Sequence, residues 1–526
     1  MSSYDDLVRL YKEFREFIKP TVNAGVPDFT AATMAKQFDD LKQLQARLGA
    51  LDIAAWPVEQ QADYHVVRAE MNGVEFDHRV LRQWARDPGF YNLTDGIYPR
   101  LLVHHSRSLS NWGLYEPQVP MSEADAADFR VKLQTVPKLF AQAKANLTEA
   151  VGDLTKIAIR IKEKDIQLLE RFAAQFEGYH PELLPDVEAA IAATADFRDW
   201  LASKLDSLPP RAGIGKENYN WWMKNVHLIP YDWEQFHTMN ESEYNRTMSF
   251  LKLEQNKNRN EPNFQLTATE EENDRRQREC AQKVLDFLRD EEIITVPADL
   301  APLPPHLYPR MWGKSAYLRP DDRGYFEETN DREPMTNVAH VFFGHYYLGG
   351  RKIWYQEGDE RPIRGDIRLY DMHEARSEAL AFGIEEWLMQ LGLFENRPRS
   401  REITYTWAAF RAIRALSDLR MHSNDYTLED GLQNFADGVP NGWAEVDSDA
   451  VWWDIEETLR APGHSANYTV GKNMMQQLMV ERAEQLGDGF SVRRYYDEFM
   501  KGGIVPIALT RWELTGLDDQ MKQLLD

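Results

Sequence analysis

The chain has 526 residues, 43% of them hydrophobic and 28% charged, with a formal net charge of −24. This is enough apolar material for a sizeable core, arranged as up to three average domains or as one large assembly. The acidic balance, with no dense Lys/Arg cluster, excludes a nucleic-acid binder and makes a strongly anionic polymer an unsuitable substrate.

The first residues, Met1-Ser2-Ser3-Tyr4-Asp5-Asp6, lack the basic and apolar regions of a signal peptide. No run approaches the roughly 18 apolar residues of a membrane span. The cytoplasm is therefore the expected location, with no membrane partner. Residues 4–18 place Tyr4, Leu7, Leu10, Tyr11, Phe14 and Phe17 on one helical face. Residues 31–50, 59–86, 122–148, 151–177 and 182–206 read as helices by the same criterion. The Gly/Pro-rich stretch 208–215 reads as a turn inside one continuous unit, between an N-terminal helical part (1–210) and a second part (211–526). Residues 253–276 are polar, which suits a solvated helix face or loop. Cys280, the single cysteine, excludes an intrachain disulfide and a cysteine-based metal set. After the Pro-rich segment 302–309, Tyr325-Phe326 gives the best strand signal. The expectation is a mainly α protein with at most one small sheet or hairpin near 310–330.

Four segments carry groups suited to chemistry. In Asn337-Val338-Ala339-His340-Val341-Phe342-Phe343-Gly344-His345 two histidines stand five apart. Along a regular α-helix that is about 500°, so they would point roughly 140° apart. A shared metal would require a bulge or a helix end, which Gly344 could supply. The plainer alternative is one functional histidine and one hydrogen-bonded core histidine. On the helix starting at Asp371, Glu374 and Glu378 share a face with Asp371, and Arg376 lies between them. Such a stripe is usually solvated, but the small and apolar residues after Glu378 suggest burial, where a carboxylate needs a cation, a metal or a proton. Asp418 and His422 are spaced i,i+4, so the carboxylate could orient the imidazole, although many surface helices carry such a pair. In the segment from Pro462-Gly463, Tyr468 would lie one to two turns into a helix, where a phenol can donate to an oxyanion or simply pack.

Together, in this order, the segments resemble a bacterial family catalogued as domain of unknown function 885, which is peptidase-like. The family's zinc helix reads His-Glu-x-x-Pro-Gly-His. Gly344-His345 match its end, with Phe343, His340 and Ala339 where Pro, Glu and the first His are usual. Glu378, in Glu378-Ala379-Leu380-Ala381-Phe382, matches a Glu-Gly-Trp-Ala-Leu segment and so a presumed zinc ligand. Asp418 and His422 match an Asp-x-x-x-His pair. Pro462-Gly463 and Tyr468 match Pro-Gly-Gln-Ala-x-x-Tyr, and Tyr496 stands where the His of Phe-His-Asp is common. The resemblance spans roughly 40–515 and implies a large multi-helix, metallopeptidase-like assembly around a deep central cleft.

With Ala339 and His340 in place of His-Glu, a zinc peptidase would lack one ligand and its base. The resulting expectation is an enzyme repurposed for acid–base chemistry of the lyase, elimination or isomerase type, on a small, aromatic or apolar molecule. His340, His345, Glu378, His422, Tyr468 and Tyr496 are its catalytic candidates. Phe342, Phe343, Tyr346, Glu374, Arg376 and Asp418 are the candidates for substrate contact, with Tyr347 and Trp354 nearby. The rival expectation is a metal-dependent hydrolase or peptidase with a rebuilt zinc site of His340, His345 and Glu378. A third is a non-catalytic binding protein. The cofactor expectation is accordingly none or a single divalent metal, with no nucleotide or flavin. The partners expected are a small-molecule substrate and, at most, a second copy of the chain in a homodimer.

Overall fold

The computed structural model describes residues 3–23, 26–93, 114, 117–297, 324–349, 361–365, 368–370 and 372–525. It is mainly helical, as the periodicity predicts. The sheet found among the described residues pairs Val22–Asn23 (β1) with Val26–Pro27 (β2), antiparallel. Residues 310–323, within the expected hairpin, lie outside the described residues. Tyr325-Phe326 is not a strand: it opens a helix, Tyr325–Asn330. The Gly324 N–H bonds the Glu327 side chain at that helix start. The Tyr325 ring packs 4.8 Å from Phe410 and 5.5 Å from Phe435. Tertiary packing thus overrides a weak β preference. No described helix is long and apolar enough to cross a membrane.

The chain divides into two compact units: residues 1–56 with 67–218, and 57–66 with 219–526. The first holds α1 (Tyr4–Phe17), α2 (Ala31–Gly49), most of α3 (Val58–Phe76), α4 (Glu123–Asn146), α5 (Gly152–Tyr179) and α6 (Leu184–Lys204). Side chains at the helix starts satisfy the free N–H groups there, as in the Ser3–Asp6 capping box and Ser122. The helix expected over 59–86 is interrupted. After Phe76 comes a π turn, Asp77–Leu81, and Arg82 is left-handed (φ 44°) before Gln83–Arg86 resumes. The core of this unit is aromatic, with Phe140 and Phe197 stacked at 4.6 Å and Phe129 edge-on to Phe172 and Phe176.

The second unit carries the candidate residues. Its helices include α7 (Trp233–Lys257), α8 (Glu270–Asp290), α9 (Tyr325–Asn330), α10 (Glu374–Gln390), α11 (Ser400–His422), α12 (Leu428–Gly438), α13 (Asp449–Arg460), α14 (Ala466–Leu486), α15 (Val492–Lys501) and α16 (Ile507–Thr515). The main pairings are α7 on α11, α10 on α14, and α10 on the segment Val338–Gly349. α10 and α14 meet at Gly471, where an added Cβ would lie 1.7 Å from the Ala375 carbonyl oxygen. Only glycine permits that approach. Four charges tie three of these helices together. Lys472 Nζ donates to Glu243 (3.0 Å) and to Glu386, and Arg246 bonds Glu386 through both Nη atoms at 2.8 Å.

Candidate metal centre

Val338–Gly349 is a π-helix, with i→i+5 hydrogen bonding. This resolves the angular objection to the histidine pair: in a wider helix, residues five apart return to the same face. His340 Nε2 and His345 Nε2 lie 3.1 Å apart. Gly344 does not act as a local break. It lets the π-helix press on α10, since its Cβ would fall 2.6 Å from the Cα and Cβ of Ala381. That contact brings Glu378, one turn earlier on α10, to the histidines. Its Oε2 lies 3.2 Å from His345 Nε2. One ligand atom from each of His340, His345 and Glu378 falls within a 4.8 Å span.

Behind the triad stands a charged layer. His340 Nδ1 lies 2.7 Å from Glu385 Oε1. Arg411 Nη2 lies 2.7 Å from the same oxygen and 3.1 Å from His340 Nδ1, and Arg411 Nη1 donates to Glu385 Oε2 at 2.9 Å. Burial, with Arg411 and His345 beside it, holds His340 well below the ordinary histidine range, so the ring is neutral. Burial pushes Glu385 up to about 7, against the pull of Arg411.

Two imidazoles and a carboxylate are donor types that suit a divalent ion. A tetrahedral zinc site with bonds of roughly 2.0–2.1 Å has donors about 3.3–3.4 Å apart. The two contacts of 3.1 and 3.2 Å are close to that, while the set as a whole spans up to 4.8 Å and would have to draw in around an ion. Metal-bound histidines commonly present their second nitrogen to a carboxylate, which is where Glu385 stands relative to His340.

The remaining candidates separate into those beside this triad and those elsewhere. Tyr468, in the first turn of α14, has Arg411 and Arg414 at 5.7 and 4.8 Å from its ring and packs with Phe382 and Ala408. Phe343 is buried. The side chains of Phe342, Tyr346 and Tyr347, together with Trp354 and Asp371, lie outside the described residues. Asp418 and His422 form part of another cluster. Asp418 accepts from the N–H groups of Gly463 (3.3 Å) and Ala466 (3.2 Å), which fastens the turn leading into α14. Burial pushes it up to about 8, although those N–H groups favour its charged form. His422 Nε2 lies 3.2 Å from the Thr458 carbonyl oxygen and 3.7 Å from Asp418. Glu374 contacts His464 Nδ1, and Glu457 lies 3.5 Å from the other nitrogen of that ring. Arg376 donates to the Phe499 carbonyl at 3.0 Å and covers the Phe499 ring, joining α10 to α15. Tyr496 is buried with its ring 6.1 Å from Trp387.

Sequence reasoning did not single out Glu385, Trp407, Arg411 or Arg414. A signal existed, because Trp407, Arg411, Arg414, Asp418 and His422 fall at steps of four, three, four and four along α11. Extending the Asp418–His422 stripe backwards would have reached the three on α11, but not Glu385 on α10.

A family model described as "Bacterial protein of unknown function (DUF885)" matches residues 16–293 and 384–514. The match lapses between those segments, over the stretch that carries His340, His345 and Glu378. No curated protein matches the sequence. Among solved structures, the chain is similar to one named "putative lipoprotein of unknown function" from Shewanella oneidensis. The two are 15% identical with a TM-score of 0.67, over 97% of this chain and 99% of that one. It is also similar to a "putative lipoprotein" from Colwellia psychrerythraea, at 15% identity and a TM-score of 0.70, over 98% and 99%. At that identity the likeness concerns the fold alone.

Proposed function

The chain belongs to the DUF885 family of bacterial proteins, and we propose that this member is a metal-dependent hydrolase on a peptidase-like scaffold, with its zinc site rebuilt from His340, His345 and Glu378. The observation that carries the reading is the convergence of these three donors, with Glu385 behind His340. A divalent ion there would supply Lewis acidity, polarising a carbonyl and making water reactive near neutral pH. The chain's own residues do the rest. Glu385 and Arg411 hold the His340 ring with its Nε2 toward the other donors. His345, 27% exposed at its side chain, marks the side from which substrate arrives. Tyr468, whose ring Arg411 and Arg414 flank, would donate to a carbonyl oxygen as charge develops.

The test is metal content together with turnover. Protein purified without added metal should carry about one zinc per chain, lost in His345→Ala and Glu378→Gln together with hydrolysis of a panel of chromogenic amides and esters. Full turnover by chelator-stripped protein would overturn the reading.

One observation favours a second reading. The Arg411 Nη2 bond to His340 Nδ1 requires that nitrogen to be unprotonated, which places the ring proton on Nε2, facing His345. In that tautomer His345 Nε2 accepts the His340 proton, with the Glu378 carboxylate beside the same nitrogen to favour the protonated ring, an arrangement suited to metal-free elimination or isomerisation. We rank it second because Arg411 already bonds Glu385, and the carboxylate is the nearer and stronger acceptor for an Nδ1 proton.

A further inference from the structure

α11 carries hydrogen-bond donors that have no partner among the described residues. Arg414 is 3% exposed. Its Nη1 pairs with Asp454, which is fully buried. Its Nε and Nη2 have no hydrogen-bond partner among the described residues. Buried donors are rarely left unmade, and each such exception calls for a cause. These two nitrogens form one edge of the guanidinium and carry parallel N–H groups. A carboxylate fits that edge through both oxygens, whereas an amide carbonyl offers one.

The Arg414 guanidinium neighbours the candidate centre through Tyr468. Arg414 lies 4.8 Å from the Tyr468 ring, which Arg411 also covers, and Arg411 contacts His340. Three residues along a helix separate the two arginines, a rise of about 4.5 Å. On the same stripe the Trp407 indole N–H is also unpartnered among the described residues, and its ring stands 5.8 Å from His340. Arg411 and Arg414 are already charge-matched by Glu385 and Asp454, so what remains free at Arg414 is directional hydrogen bonding rather than bare charge.

We infer that Arg414 recognises a carboxylate of the substrate, so that this centre takes small carboxylate-bearing molecules of the N-acyl amino acid class. The reaction assigned to such molecules rests on the hydrolase reading, but the carboxylate contact does not.

The experiment is calorimetric titration of N-acetyl-L-phenylalanine and of its uncharged amide into wild type, Arg414→Lys and Glu378→Gln. Arg414→Lys retains a cation for Asp454 but lacks the planar edge. Wild type should bind the acid about ten- to a hundredfold tighter than the amide. The ratio should fall to near one in Arg414→Lys and persist in Glu378→Gln. Absence of metal and turnover would sink the hydrolase reading while leaving this ratio legible. Equal affinities in wild type, no binding of the acid at millimolar concentration, or a ratio that survives in Arg414→Lys would each overturn the inference. If Arg414→Lys does not fold, the double variant Arg414→Gln/Asp454→Asn removes both charges together and is read the same way.

Discussion

Replacing Glu385 by Gln tests whether the layer behind His340 serves a metal. Glu385 has no exposed side-chain surface, and Arg411 beside it is 2% exposed. The substitution leaves a buried guanidinium without its counter-charge, which costs stability, but burial already raises Glu385 to about 7, so the neutral amide relieves part of that cost. It also takes the negative charge from the group 2.7 Å from His340 Nδ1. Loss of such a partner typically weakens metal affinity ten- to a hundredfold, or about 1.4–2.8 kcal/mol. Glu386→Gln is the control. Glu386 is the next residue on α10, and it pairs with Lys472 and Arg246 instead of His340. It should lose stability, the more so because its partners hold Glu386 charged, and leave zinc affinity unchanged. Competition for zinc against a chromophoric chelator reads affinity, and urea unfolding of metal-free protein reads stability. Equal zinc affinity in the two variants would falsify the assignment of Glu385 as the partner of a metal-binding histidine.

The acid limb of stability should depend on Glu386. Burial alone would raise this group, but Lys472 and Arg246 hold it down to about 2. Its unfolded value is near 4.5, so its contribution is fully present above that pH and is lost as pH falls toward 2. The window is worth about 3 kcal/mol, and unfolding followed between pH 5 and 2 should show a correspondingly shallower fall in Glu386→Gln. Gly344→Ala should push the π-helix off α10 at Ala381, costing roughly 1–3 kcal/mol. The same change should weaken zinc binding, because that contact brings Glu378 to the histidines; a variant with wild-type melting and wild-type zinc affinity would refute the close approach.

Helices were legible where one apolar face repeats. Residues 4–18 and 31–50 read correctly because Leu7, Leu10 and Phe14, or Leu41, Leu44 and Leu48, each point to one core. The break after Phe76 was not legible, because a left-handed Arg82 leaves no mark in a pattern of apolar residues. Tyr325-Phe326 misled for a related reason. Two aromatic rings suit a strand locally, and the surroundings that make them helical, Phe410 and Phe435, lie far along the chain. At the site, the donor types were visible and the helix form was not. Spacing alone sets His340 and His345 apart on an α-helix, and i→i+5 bonding depends on packing against α10 that no local pattern encodes.

The same geometry bears on how His340 can stand where the resembled motif has a glutamate. In the resembled motif the first histidine stands six residues before the last, and Ala339 occupies its position here. A histidine one place later is five residues from His345, and it reaches the same face only if the helix widens. Val338–Gly349 is a helix of that kind. Retaining two imidazoles in this register uses up the position of the adjacent base, so proton transfer must come from other groups. The titratable group near at hand is Tyr468, whose ring Arg411 and Arg414 flank. A rebuilt centre of this kind keeps its donors on the π-helix and α10 and takes its polar chemistry from α11 and α14. Substitutions on α11 should therefore change which substrates are accepted more than whether a metal is held.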